Sequence, residues 1–177
     1  MIRSHHCRGA VLALLSGIGA FAAQARADQP FDRYPTTVYR GRLVLPDFAG
    51  RERQVAMFRT RIGDDMREGP DVAGHYKVIQ FGCGTGCSIV FVGDVASGRV
   101  YEFPHGGEND QGLSLEYRVN STLLRAWWST ELPMPGARCL GQDYLFSQSK
   151  FSPTGEQRAF PCPNVWCQNG ICKAPPH

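Results

Sequence analysis

The chain has 177 residues, 42% hydrophobic and 20% charged, with 20 Gly, 12 Pro and 7 Cys. This composition excludes a coiled coil, a collagen-like fibre and a disordered charged tail, and it fits one globular domain. The formal charge of +3 changes once the N-terminus is read.

Arg3 and Arg8 form a short basic region, Ala10 to Ala23 is an apolar run, and Ala25-Arg26-Ala27 offers the small-x-small pattern of a signal-peptidase site. The run is too short for a bilayer core, which takes roughly 20 residues. Residues 1–27 are therefore read as a cleaved export signal with no membrane anchor. Their removal takes away three arginines and no acid, so 19 basic residues become 16, equal to the 16 acidic ones. A mature chain with no excess of Lys and Arg is a poor counterion-displacing surface for nucleic acid.

Cleavage also removes Cys7 and leaves Cys83, Cys87, Cys139, Cys162, Cys167 and Cys172. An even count in an exported chain points to disulfides rather than a zinc site. Six cysteines allow 15 pairings. Cys83 and Cys87 suit a direct pair, because Gly84-Thr85-Gly86 between them permits a tight turn. The last three cysteines sit among Pro161, Pro163, Pro175 and Pro176, and Cys139 is expected to bond one of them.

The elements follow in chain order. Residues 37–45 alternate, with Tyr39, Leu43 and Leu45 on one side, and predict a strand that stops at Pro46-Asp47. Residues 54–68 read as a short strand running into a short helix. Val55, Phe58, Ile62 and Met66 fall at helical spacing, and Gly69-Pro70 closes the segment. Tyr76 to Phe81 and Ser88 to Val92 are apolar on both faces, as central strands are. Ala96-Ser97-Gly98 turns the chain into Val100 to Phe103. Beyond the polar loop 104–112, Leu113, Leu115, Tyr117 and Val119 alternate with polar residues. Asn120-Ser121 leads into Leu123 to Trp128, and Tyr144 to Phe146 adds a further short strand. The fold class is mainly β with α+β as the alternative: a single antiparallel meander of about five strands, one or two short helices and a disulfide-tied tail. The expected division is residues 28–150 as the β-rich domain and residues 151–177 as a Pro/Cys-rich extension.

Three stretches, Gly69-Pro70-x2-Ala73-Gly74-His75-Tyr76, Gly82-Cys83-Gly84-Thr85-Gly86-Cys87 and Asp94-x3-Gly98-x-Val100, together resemble a group of small exported proteobacterial proteins. That resemblance implies layout and export, and no activity. A second similarity of layout is to periplasmic inhibitors of vertebrate lysozyme, which place a disulfide-closed loop between two central strands and insert it into the enzyme's cleft. Their loop has four residues between the cysteines, including a His and an Asp. Here there are three, with neither. The resemblance implies a rigid presented loop.

The candidate binding residues are Gly84, Thr85, Gly86, His75 and Trp128. Two glycines around Thr85 free backbone N–H groups to point outward, and a disulfide would hold them there. Trp127 and Trp128 are adjacent, so on a strand one faces the core and the other stands exposed or covered by the tail. His105, in the loop with Glu108 and Asp110, is the place a metal would be sought, and no metal or other cofactor is expected. No Gly-x-Ser-x-Gly elbow, His-Glu-x-x-His or phosphate loop occurs. The functional expectation is an exported periplasmic or secreted binding protein, an inhibitor of a cell-wall-acting enzyme by layout, with a protein or glycan of the envelope as partner. A small hydrolase using His75 or His105, for instance with Asp94 and Ser88, and a structural envelope protein without a discrete site are the alternatives.

Overall fold

The computed structural model describes residues 30–131, 137–162, 167–168 and 171–172; residues 1–27, read above as an export signal, and Trp166 lie outside them. Among the described residues strand outweighs helix, 45% against 15%, as the mainly β reading expects. The chain enters through a 3-10 turn at Pro30–Arg33, forms a second one at Arg53–Phe58 and continues into helix α1, Arg59–Arg67. Among the described residues these strands follow: β1 Tyr76–Gly82, β2 Ser88–Asp94, β3 Val100–Glu102, β4 Gln111–Tyr117, β5 Leu123–Ser129, β6 Arg138–Ser147, β7 Lys150–Pro161, β8 Cys167–Gln168 and β9 Ile171–Cys172. They make two antiparallel sheets, β1-β2-β3 and β4-β5-β6-β7, and the small β8-β9 hairpin. Among the described residues no helix is long and apolar enough to cross a membrane.

The first sheet is buried on both faces because its strands are apolar on both. Val78, Val90 and Val92 join Leu124, Ala126, Trp128 and Phe146 of the second sheet in one core. Ile79 and Phe91 point the other way, onto Val55, Ile62 and Met66. Both Ile62 and Met66 are fully buried, so the helical spacing of residues 55–66 is the pattern that decides this segment. The short strand expected before the helix is instead the 3-10 turn. α1 ends at Arg67, and Gly69 at φ 88° turns the chain away.

The expected strand at 37–45 does not form. Tyr39 N–H donates to Gly74 O and Val44 N–H to Val95 O, two separate bonds to turns of the first sheet. Tyr39 packs against the core, but Leu43 and Leu45, expected on the same side, are exposed; a ladder needs a strand edge beside it, and turns offer single carbonyls.

The expected five-strand meander divides between the two sheets, because the loop 103–112 carries the chain from one layer to the other. The larger correction concerns residues 150–161. They form the longest of the described strands, paired with β6 from Ser147↔Lys150 to Arg138↔Pro161, so the β structure runs past residue 151, where a Pro/Cys-rich extension was expected to begin. β7 is an edge strand carrying Pro153, Gly155 and Pro161, and edge strands tolerate proline and show no buried alternation. At its bulge, the buried Gln142 amide donates to the carbonyls of Asp143 and Thr154 at 3.0 and 3.1 Å.

Among the described residues two disulfides are present, Cys83–Cys87 and Cys139–Cys162. The second joins the start of β6 to the end of β7, where Cys162 N–H also donates to Ala137 O at 2.8 Å. Cys167 and Cys172 are register partners in the β8-β9 hairpin, and β9 lies against β4 and β1.

Two of the turns with left-handed residues bear directly on stability. Gly74, at φ 85°, accepts from Tyr39 and donates to Val119 O, and a Cβ there would stand 2.5 Å from Thr37 O. The β6–β7 turn holds Gln148 and Ser149 at φ 50° and 63°, a geometry that favours Asn and Gly. Gly74→Ala is expected to destabilise the fold by at least about 2 kcal/mol in urea unfolding. Gln148→Asn is expected to stabilise it by about 0.5–1 kcal/mol. The same assay reads both, with opposite signs.

Candidate functional site

The β1–β2 hairpin closes at the pair Gly82↔Ser88, and residues 83–87 form the loop beyond it. Cys83 N–H donates to Cys87 O at 3.1 Å, and Cys87 N–H to Gly84 O at 3.3 Å. The disulfide spans the loop's base, with its Cα atoms 5.1 Å apart. Gly84 and Gly86 have φ of 150° and 71°, conformations that glycine permits. Residues 82–85 are exposed, while Cys87 is buried. Gly112 N–H holds the loop from the side through Gly86 O at 2.8 Å.

The 103–112 segment borders this loop. Phe103 N–H donates to Val90 O and Gly107 N–H to Ser88 O, so the chain follows β2 past the end of β3 toward the disulfide. A pocket of about 220 Å³ opens there, between Ile89 and Val90 on one side and Glu102, Phe103, His105 and Gly107 on the other.

His105 is fixed from three directions. Its ring stacks on Trp128 with centroids 3.6 Å apart. Nε2 lies 2.6 Å from the Tyr144 hydroxyl and Nδ1 3.2 Å from Asp110 Oδ2, which also accepts Gly106 N–H at 3.0 Å. Burial, with the Asp110 charge beside it, raises the Tyr144 phenol above its ordinary range. Both ring nitrogens are thus engaged within the protein, and the network joins the loop to β5 and β6. Glu108 is exposed and stands outside it. Among the described residues no group of three His, Cys, Asp or Glu side chains is placed to hold a metal ion.

Trp128 is 3% exposed and belongs to the core, so it is not the surface anchor that was expected. Trp127, half-buried, lies on the opposite face of β5, with its indole Nε1 buried. The parity was readable, because Leu124, Ala126 and Trp128 share one face of β5. His75 lies at the far end of the first sheet from the loop. Its ring rests on Tyr76, and Nε2 is 3.9 Å from Asp94 Oδ1. Asp94 is committed to the β2–β3 turn: it accepts Ala96 N–H at 2.8 Å, Ser97 N–H at 3.3 Å and the Ser97 hydroxyl at 2.6 Å. Ser88 and Asp94 stand at opposite ends of β2, about 20 Å apart at roughly 3.3 Å per residue. His75, Asp94 and Ser88 therefore do not converge.

A further charged group has no signature in the sequence. Lys77 Nζ sits 2.8 Å from Glu68 and 3.2 Å from Asp71, joining the end of α1 to β1. Burial pulls the Lys77 ammonium down, but the Glu68 hydrogen bond and the Asp71 charge outweigh it and leave it raised. Burial also raises Asp71, against the Val78 N–H bond. Beside them, burial and the Asp71 charge push the Tyr117 phenol up to about 12.

No protein-family model matches this chain, and no curated protein or solved structure does.

The Tyr117 shift has a measurable sign. Its folded value of about 12 exceeds the unfolded value of about 10. The stability it contributes is complete below about pH 10 and is lost as pH rises toward 12. Tyr117→Phe is expected to remove the last tyrosine step from a spectrophotometric titration. It is also expected to move the alkaline unfolding midpoint upward. A titration whose last step survives Tyr117→Phe would contradict the assignment.

Proposed function

We propose that this is an exported binding protein that presents the Cys83–Cys87 loop to a protein or glycan of the cell envelope. One observation carries the reading. Of the three stretches that resemble small exported proteins, two have evident work inside the fold. Gly74 makes a turn that allows no side chain, and Asp94 caps the β2–β3 turn. The third, at residues 82–87, stands out from the hairpin with Gly82, Cys83, Gly84 and Thr85 exposed. It buries no core side chain apart from Cys87.

Its construction suits recognition. The disulfide, the two turn hydrogen bonds and the Gly112 bond limit the motion that binding would otherwise have to freeze out, and rigidity before binding lowers its entropic cost. Export is supported by the basic–apolar–small-residue N-terminus and by the disulfides, which persist in oxidising compartments. An enzyme acting on the cell wall is the target class that the layout similarity to periplasmic lysozyme inhibitors favours.

The test uses the oxidised mature protein as bait in envelope extract, beside Thr85→Trp. A partner retained by the wild type and weakened at least about tenfold in the variant, as loss of an interface hot spot would do, supports loop presentation. Equal retention of the same partner by both places binding elsewhere on the surface. If neither retains a partner, the binder reading fails, and the hydrolase and structural readings take its place.

A further inference from the structure

The pocket beside the loop is lined in part by the segment that steadies the loop, and its chemistry is specific. Its walls are mixed: Ile89 supplies apolar surface in front of the almost fully buried Val90 and Phe103, and Pro104, His105, Gly106 and Gly107 complete the lining. The acidic group lining it is Glu102, on the exposed side of β3, and no Lys or Arg lines it. Among the described residues Glu102 forms no ion pair. Its position is fixed relative to the loop, because the segment that follows β3 bonds to β2 at Ser88, one residue beyond Cys87.

Size and charge together narrow the occupant. A volume of about 220 Å³ falls below the roughly 300–1,000 Å³ of sites that enclose a whole small molecule. It suits one long side chain. A wall that is only partly apolar and carries a single acid favours an aliphatic stem that ends in a cation, since Lys and Arg lay their methylenes along apolar surface and keep the charged head among polar groups at the rim. An anionic group would meet Glu102 with no cation to offset it.

We infer that this pocket is a specificity subsite for one arginine or lysine side chain of the protein partner, engaged while the partner's surface rests on the Cys83–Cys87 loop. The inference rests on the loop-presenting reading and selects a protein partner over a glycan. Two contacts of different chemistry, a rigid exposed backbone and a pocket carrying one acid, would then set partner choice together.

The probes are N-acetyl-arginine amide, N-acetyl-norleucine amide, N-acetyl-glutamate amide and an N-acetylglucosamine trimer, each titrated into the isotope-labelled oxidised mature protein and followed by amide NMR. The arginine probe is expected to move Ile89, Val90, Glu102 and Gly107 saturably. Norleucine should move them less, and the glutamate and sugar probes should leave them unmoved. Glu102→Gln, at an exposed site that leaves the fold intact, should weaken the arginine response about two- to fivefold. Glu102→Lys should transfer the preference to the glutamate probe. Equal response to norleucine and arginine, a response to the sugar at the same amides, or no response to any probe would overturn the assignment. Thr85→Trp separates the two claims. Arginine binding in a protein that retains no partner through Thr85 sustains a cation-selective pocket, but it overturns the loop-presenting reading and with it the pocket's role toward a partner. Retention through Thr85 without arginine binding overturns the pocket assignment alone.

Discussion

The constraint on which the rest of the structure depends is that β1 and β2 are apolar on both faces. Neither face of the β1-β2-β3 sheet can stay in water, so each requires a cover. Val78, Val90 and Val92 are covered by the second sheet, and Ile79 and Phe91 by α1 and the turn that precedes it. The layer order of helix, three-stranded sheet and four-stranded sheet follows from that requirement. So does the position of the free surface, since a sheet covered on both faces meets solvent at its strand ends. At one end the turns around Gly74 and Asp94 are tied to neighbouring segments. At the other end stands the disulfide loop.

The two disulfides act at different scales. Cys83–Cys87 closes a loop of five residues, and the chain-entropy relation assigns such a closure about 2 kcal/mol. The Cys139–Cys162 bond, with a sequence separation of 23, is assigned about 3.4 kcal/mol by the same relation. The longer bond joins β6 to the end of β7 and supports the fold. The shorter one acts where no core side chain packs, and its consequence is local order in a segment exposed to solvent. His105 extends that order: it anchors the 103–112 segment on Trp128, Tyr144 and Asp110, and Gly112 passes the restraint to the loop through Gly86.

What was legible in the sequence was legible for a physical reason. β1 and β2 announce themselves because continuous apolar runs around a glycine-rich turn have few other uses. The Cys83–Cys87 pairing follows from the turn, and a partner for Cys139 beyond the main block from the number of cysteines left. β7 was hidden because Pro153, Gly155 and Pro161 signal irregular chain, and an edge strand lacks the buried alternation that identifies inner ones. Residues 37–45 misled in the opposite sense: their alternation suggested a buried strand face, yet Leu43 and Leu45 are exposed and the segment bonds to turns rather than along a strand edge. At the candidate site, the exposed loop was readable, but its surroundings were not. The meeting of His105 with Tyr144, 39 residues away in the chain, and the burial of Trp128 depend on how the second sheet stacks on the first. No local pattern encodes that stacking.

The central claim is that the Cys83–Cys87 loop is held rigid before any partner arrives. Backbone relaxation of Gly84, Thr85 and Gly86 in the free, oxidised mature protein measures it directly. The account predicts order parameters near those of β1 and β2, about 0.85, on the picosecond to nanosecond timescale. Values below about 0.6 at these three residues, with β1 and β2 remaining ordered, would show a flexible loop and contradict it.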